Sequence, residues 1–394
     1  MDIAVIGGGA AGCFCAAEGA RRYPEARFTV FEAASRPMAK LAVTGGGRCN
    51  FTNSFEGIER LAEAYPRGER LMKRALGAFS HRDAMEWFRR EGVEYVIQDD
   101  HCVFPASQDA MEIVGTLESL MKRGGVRMLT GRKVKAVEAC PGGFLVDGER
   151  FDRVVVTTGG AAVGMLAPLG LEIEECVPSL FTFNIDDAGL RSLMGTVVEN
   201  ARLSIAGTGF KSSGALLLTD WGTSGPTTLK LSSYAARHLH DCAYKATLLV
   251  DWTAWGEDGA REWIDRMKSG SGARKIQNSC PEMLSSRLWK MLVSRSGLRE
   301  DASWGELGSK GAARLVQTLC CDPYPISGRC RFKSEFVTCG GVSLKEVNPS
   351  TMEARRYPGL FLAGEVLDID AITGGFNLQA AWSTGYLAAL GVGR

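Results

Sequence analysis

The sequence predicts an α/β chain that opens on a doubly wound parallel sheet and continues into a β-rich region and then a helical one. Three observations predict it. A β-α-β pattern fills roughly the first thirty residues, with apolar Asp2–Ile6, alanine-rich Ala10–Arg22 and Arg27–Phe31. After Pro168, strand-like runs at Val177–Ile185, Thr196–Ala206, Gly214–Thr219 and Ala246–Val250 alternate with turns. From Trp255 to about Leu319 the pattern is helical, with Trp263, Met267, Leu284, Leu288, Met291 and Leu292 as the expected inward positions.

Each element follows from its pattern. Asp2–Ile6 is a short apolar run ending in glycines, the signature of a buried parallel strand. Leu71–Arg90 and Asp109–Arg123 read as amphipathic helices. Val126–Leu129 and Val134–Glu138 read as strands, and Phe144–Val146 as the hairpin partner beyond a turn at Pro141–Gly143. Arg153–Thr157 is another buried strand, running into Gly159-Gly160. Ser224-Gly225-Pro226 opens a helix, with proline suited to its first turn. Phe336–Val342 and Gly359–Ala363 are late strands, and Asn377–Leu390 is a closing helix.

Composition narrows the classes. With 394 residues, 45% apolar and 23% charged, the chain can bury a large core in two or three domains. A net charge of +1 makes no electrostatic case for nucleic acid or an acidic membrane surface, so neither is expected as a partner. The twelve cysteines show no paired CxxC spacing, so no metal site is expected. The chain enters its first strand without a basic leader, and its first apolar stretch is broken by glycines and too short to span a bilayer, so no membrane segment is expected. Free thiols in a reducing cytoplasm are the expectation. The glycines cluster at Gly7–Gly12, Gly45–Gly47, Gly159–Gly164 and Gly374-Gly375, where backbone is expected to approach a ligand.

The first cluster, Gly7-Gly-Gly-Ala-Ala-Gly12, is a dinucleotide fingerprint. Gly7 permits the turn out of the strand, Gly9 admits the pyrophosphate, and Gly12 lets helix and strand pack closely. The helix N-terminus then presents free N–H groups to the phosphates. Glu32 ends the second strand about twenty residues on, where an acid accepts hydrogen bonds from an adenosine ribose. The other end of the chain distinguishes FAD from NAD. Gly359–Gly364 runs into Glu365, and Thr373–Gln379 opens the closing helix. In flavoproteins of the glutathione-reductase-like fold, such a strand supplies an acid to the ribityl chain, and the helix after it aims its N-terminus at the flavin pyrimidine.

Three segments extend this likeness: Gly45–Asn53 (GGGRCNFTN), Gly340–Pro349 (GGVSLKEVNP), and Gly364–Asp370 (GEVLDID) with Thr373–Gly375. They resemble the BaiN-like (YhiN-like) family of NAD(P)/FAD-dependent oxidoreductases, from residue 1 to about 390. The resemblance implies a Rossmann-type FAD-binding domain built from both chain ends (1–168 and 335–394), a β-rich domain (169–254 and 320–334) and a helical insertion (255–319). It implies FAD contacts at Gly9, Ala11, Gly12, Glu32, Lys40, Gly45, Gly46, Gly47, Arg48, Asn50, Val134, Gly364, Glu365, Asn377 and Leu378. Val134 would contribute only backbone, to adenine. Gly7, Gly159 and Gly375 join them as cofactor-binding candidates from the glycine turns. One segment departs from the family: Ala161–Leu169 is short and lacks the usual glycine-rich loop with an acid.

The chemistry expected on this cofactor is hydride transfer with a small organic substrate, NAD(P)H serving as a transient donor because no second fingerprint follows. A flavin-dependent oxidase and a non-catalytic flavin-carrying partner are the alternatives. Three glycines at Gly45–Gly47 offer a nest of N–H groups, and Arg48 reads as a pyrophosphate partner or a structural ion pair. Cys49 has Ser54 where a CxxxxC motif needs its second thiol, so a dithiol mechanism is not expected. Cys13, Cys15, Cys320 and Cys321 read as packing. The catalytic candidates are Asp368, Asp370, Cys49 and His101, with turn capping the alternative for the two aspartates, packing for the cysteine and a surface-loop position for the histidine. Tyr234 is a further candidate.

Overall fold

The computed structural model describes residues 1–330 and 337–393, apart from the side chains of residues 161 and 162. Two compact units divide the chain, Met1–Pro178 with Phe336–Arg394, and Ser179–Glu335.

The first unit is built on a five-stranded parallel sheet. Its strand order is Leu360–Leu362, Arg153–Val156, Asp2–Ile6, Arg27–Phe31, Arg127–Leu129. The expected α/β class is therefore observed. Ile3, Ala4, Val5 and Ile6 are buried because both edges of their strand are paired and both faces covered. The chain leaves this strand toward Arg27–Phe31 on one side, and Arg153–Val156 lies on the other. The order reverses at this point, and in such sheets the crevice that takes a ligand lies at the carboxyl ends of the strands, here that of Asp2–Ile6.

Two helices from opposite ends of the chain pack beside this crevice. The cradle helix, Ala10–Arg22, is buried from Ala11 to Ala20 and, apart from Phe14 and Glu18, carries small side chains there. The closing helix, Phe376–Gly391, is buried over most of its length. A Cβ at Gly385 would lie 2.9 Å from the Ala11 carbonyl oxygen, so the two backbones meet because glycine stands at the crossing. Glu18 is fully buried within the cradle helix, and its carboxylate accepts hydrogen bonds from Arg21, Arg22 and the Trp87 indole. Those three donors meet the cost of burying a charge.

Local chemistry moved three boundaries. The helix expected over Leu71–Arg90 is two helices, Glu69–Ala78 and His81–Arg90. Ser80 divides them: its hydroxyl accepts from the Asp83 N–H, and the Asp83 carboxylate accepts from the Ser80 N–H in a reciprocal cap. The strand expected from Val134 begins at Val137, because the Lys135 and Ala136 N–H groups donate to Asp147 Oδ1 instead of to a strand neighbour. Strand Ile173–Ser179 pairs with Val337–Val342, which draws residues 169–178 into the first unit. Phe336, the expected first residue of that partner strand, lies outside the described residues.

The second unit is a closed, antiparallel, six-stranded barrel. Its order around the barrel is Phe183–Ile185, Gly222–Ser224, Lys211–Leu218, Val197–Ile205, Ala246–Asp251, Asp322–Arg329. Helices Gly256–Gly270, Ser286–Arg295 and Ser309–Cys320 do not form a core of their own. Leu288, Trp289, Leu292, Leu315 and Leu319 join Leu203, Leu216, Leu248 and Val250 of the barrel in one apolar cluster.

The Ser80 cap gives a direct test. Ser80→Ala should lower stability by about 1 kcal/mol, read from the urea midpoint, because it leaves the Asp83 N–H without its cap. An unchanged midpoint would show that the two helices are divided by packing alone.

Candidate functional site

The site starts at the turn out of the first strand. Gly7 has φ +106°, and a Cβ there would lie 2.6 Å from the Thr157 carbonyl oxygen. A Cβ at Gly12 would clash with the Gly7 carbonyl oxygen. These two glycines are required by packing. Gly9 is different: a Cβ there meets nothing within 4 Å, so the space before the cradle helix is open. The first helical hydrogen bond runs from Cys13 N–H to Gly9, and the N–H groups of Ala10, Ala11 and Gly12 have no partner among the described residues.

Glu32 sits beside this turn. Its Oε2 accepts from Gly8 N–H and its Oε1 from Ala34 N–H, each at 2.7 Å, and lone pairs remain for a diol. Arg132 N–H donates to the Glu32 carbonyl and Gly131 N–H to Ala34, which brings the segment bearing Val134 alongside. Val134 is only 7% exposed, and neither its N–H nor its carbonyl finds a partner among the described residues. Such a pair is rare in a folded chain and matches an adenine edge.

The opposite end of the chain completes the crevice. Gly364 has φ +72°, its N–H donates to Thr384 Oγ1 at 2.9 Å, and a Cβ there would lie 2.9 Å from that of Ala11. The next residue, Glu365, is half-buried, and its side chain has no hydrogen bond among the described residues. Burial pushes its carboxyl up to about 7; the Lys40 ammonium opposes this and the Asp370 carboxylate adds to it. A Cβ on Gly159 would lie 3.8 Å from Glu365 Oε2, so Gly159 faces this acid.

The loop Thr44–Asn53 is stitched to the closing helix. Gly375, at φ +90°, passes so close to Thr52 and Asn50 that a Cβ would lie 2.7 Å from Asn50 Oδ1. Asn53 Nδ2 donates to the Gly374 carbonyl at 2.9 Å, Thr52 Oγ1 to Gln379 Oε1 at 2.6 Å, and Trp382 Nε1 to the Phe51 carbonyl at 2.8 Å. Asn377 spends its side chain on Ala371, accepting from its N–H and donating to its carbonyl, so only its backbone is available at the helix start. The first helical bond is Gln379 N–H to Gly375, which leaves the N–H groups of Phe376, Asn377 and Leu378 without partners among the described residues.

Several expected residues have other employment. Gly45, Gly46 and Gly47 are all left-handed, but Gly47 N–H is spent on Val43 and Thr44, so the nest is smaller than expected. Arg48 lies 4.3 Å over the Phe104 ring and donates to Gly45 and Gln108. Cys49 is fully buried, and burial pushes its thiol up to about 12, which disfavours a thiolate. Asp370 is buried in an ion pair with Arg67, and Asp368 accepts from Gly340 N–H. His101 is 42% exposed, with Glu56 3.8 Å away. Lys40 is exposed on the short helix Ala39–Val43, and Tyr234 ends helix Pro226–Tyr234 of the second unit. Among the described residues no group of acids, histidines or cysteines could hold a metal. No helix among them is long and apolar enough to cross a membrane.

Sequence reading passed over Arg67, the partner of Asp370 across 303 positions, because no local motif marks it. It also passed over His81, which stacks on Phe55 at 4.8 Å; Phe55 in turn meets Phe376 at 5.0 Å.

An open helix terminus, an acid without a hydrogen bond near a second acid, the unpaired Val134 backbone and a second open helix start fit FAD. The fold and this crevice define an FAD-dependent oxidoreductase with a Rossmann-type FAD-binding domain. The chain belongs to the HI0933-like family, whose Rossmann domain matches residues 1–391. It is 28% identical to a 3-dehydro-bile acid delta(4,6)-reductase of Clostridium scindens, over 98% of this chain and 97% of that one. It is 27% identical to a ribosomal RNA dihydrouridine synthase of Escherichia coli, over 99% of this chain and 97% of that one. Its fold is shared by 3-ketosteroid delta1-dehydrogenase of Sterolibacterium denitrificans, at TM-score 0.52 and 11% identity over 99% of both chains.

Two predictions follow from the crevice. Gly9→Ala should fold normally and lose FAD affinity by about tenfold or more, read by flavin fluorescence titration, whereas Gly7→Ala should lower the melting temperature as well. Full FAD affinity in Gly9→Ala would place the phosphates elsewhere. The second concerns Glu365. In the folded, cofactor-free protein it holds its proton up to about pH 7, against an ordinary value of 4.5. The folded state binds that proton more tightly, so stability present below about pH 4.5 declines as pH rises to about 7. Glu365→Gln should remove this decline. Urea unfolding should show Gln gaining on Glu between about pH 5 and about pH 8, and a constant difference would mean that the acid titrates normally.

Proposed function

We propose that this flavoprotein reduces a carbon–carbon double bond conjugated to a carbonyl, with NAD(P)H as a transient hydride donor. One observation carries the reading. The chain aligns almost end to end with a reductase of an unsaturated 3-oxo bile acid and with a synthase of dihydrouridine. These substrates differ in size and class, but each presents an alkene conjugated to a carbonyl.

The protein's own groups suit the task. When bound, FAD supplies two-electron hydride transfer. In this reading Glu365 would accept hydrogen bonds from the ribityl chain, and the unpartnered N–H groups of Phe376, Asn377 and Leu378 would hold developing negative charge. Cys49 stays a buried thiol with no partner thiol at position 54, which argues against a disulfide relay. A nicotinamide that reaches the crevice only transiently agrees with the single fingerprint. Two relatives act on ribosomal RNA, so the near-neutral net charge does not exclude a nucleic-acid substrate.

The test is anaerobic stopped-flow mixing of the FAD-loaded protein with NADH and with NADPH, followed by a steroid enone or a uridine-containing RNA. The expected outcome is bleaching by one nicotinamide and reoxidation by an enone or by uridine faster than by air. Reoxidation by oxygen alone would make the protein an oxidase, and failure to retain FAD would overturn the reading altogether.

A further inference from the structure

We infer a second ligand site, a pocket in the helical part of the second unit that takes a nucleobase together with its phosphate. The pocket is half open to solvent, has a volume of about 490 Å³, within the range of small-molecule sites, and is lined by residues between Trp255 and Met283. Trp255 and Trp263 line it, with ring centroids 5.8 Å apart and planes tilted by 38°. The Trp263 ring is also packed edge to face against Trp289 at 5.6 Å and Trp304 at 5.5 Å, both fully buried. Its orientation is therefore set by the core, and little entropy remains to be lost when a flat ring stacks on it.

Two arginines make the pocket more than an aromatic surface. Arg266 and Arg274 line it, and neither guanidinium has a hydrogen bond or ion pair among the described residues. Other arginines of this unit are paired: Arg191 with Asp186, Arg261 with Glu257, and Arg295 with both Asp187 and Asp322. The lining acid, Glu282, lies beyond ion-pair distance of Arg266 and Arg274. Two free guanidiniums and one carboxylate leave a surplus of one positive charge, which matches a phosphodiester better than a doubly charged monoester. The Asn278 side-chain amide adds a donor and an acceptor at the same wall, the pair needed to read a base edge.

Stacking rings, free guanidiniums and an amide within one pocket are the components by which proteins hold single-stranded nucleotides. A fused-ring aliphatic acid could also set its carboxylate against the guanidiniums, but it has no conjugated ring to stack on the indoles and no base edge for the Asn278 amide. The net charge of +1 for the whole chain does not bear on this, since the surplus is local. The inference does not rest on the redox reading, because its readout is binding and not turnover.

The test uses the full chain and a fluorescein-labelled oligouridylate, followed by anisotropy at two salt concentrations, with UMP, AMP and cholate as unlabelled competitors. The expected result is saturable binding that weakens with salt, is displaced by either mononucleotide, and falls by about tenfold or more in Trp255→Ala. The double variant R266E/R274E should lose at least as much, with an unchanged melting temperature because both side chains are exposed. Mononucleotide binding with the same arginine dependence but no oligouridylate binding supports the site and assigns a free nucleotide as its source. No binding of any nucleotide, equal binding by the double variant, or displacement by cholate alone overturns the proposal.

Discussion

The crossing of the cradle helix and the closing helix governs the geometry of the first unit. Gly385 lets the Ala11 backbone approach to a distance that no side chain would allow, and Gly364 packs against the Ala11 methyl nearby. The start of the closing helix, Phe376, then lies nine residues from the crossing at Gly385, about 14 Å along its axis. One helix terminus is thus set beside the phosphate turn and a second is held a fixed span away, as an extended dinucleotide requires. Neither terminus is positioned by its own strand alone. Chain ends separated by more than three hundred residues hold each other in place.

The carboxylates of the crevice divide by the same logic. Asp370 has a partner, the Arg67 guanidinium, and so can be fully buried as an ion. Glu365 has none, and burial raises its proton affinity. Glu365 is half-buried, and its carboxylate oxygens, unbonded by any side chain among the described residues, stay open at the residue that faces Gly159. Hydroxyl donors from a bound ligand would find those oxygens available. The asymmetry between these two acids, five residues apart in sequence, separates an acid held in an ion pair from one left without a hydrogen bond.

The second unit answers to a different constraint. A closed barrel has no free edges, so its helices are packed onto it instead of pairing with it, and one core serves both. Tryptophans concentrate in this shared core and reach the surface through Trp255 and Trp263. Charge that averages to almost nothing over the chain is unevenly distributed there, with Arg266 and Arg274 left unpaired.

Sequence alone determined the features that are local. Gly7–Gly12 with Glu32 announced a dinucleotide cradle because each glycine answers a contact within one β-α-β unit. Gly364-Glu365 and the Thr373–Gln379 turn pointed to FAD, and the missing partner of Cys49 argued against a disulfide relay. Tertiary structure decided what depends on partners distant in the chain. It turned Arg48 onto Phe104, Asn377 onto Ala371 and Asp370 onto Arg67, and left Glu365 and the Val134 backbone unpaired. A residue type states which bonds a side chain can make. Which of those bonds are already satisfied in the folded protein, and which remain for a ligand, is settled only when distant segments are brought together.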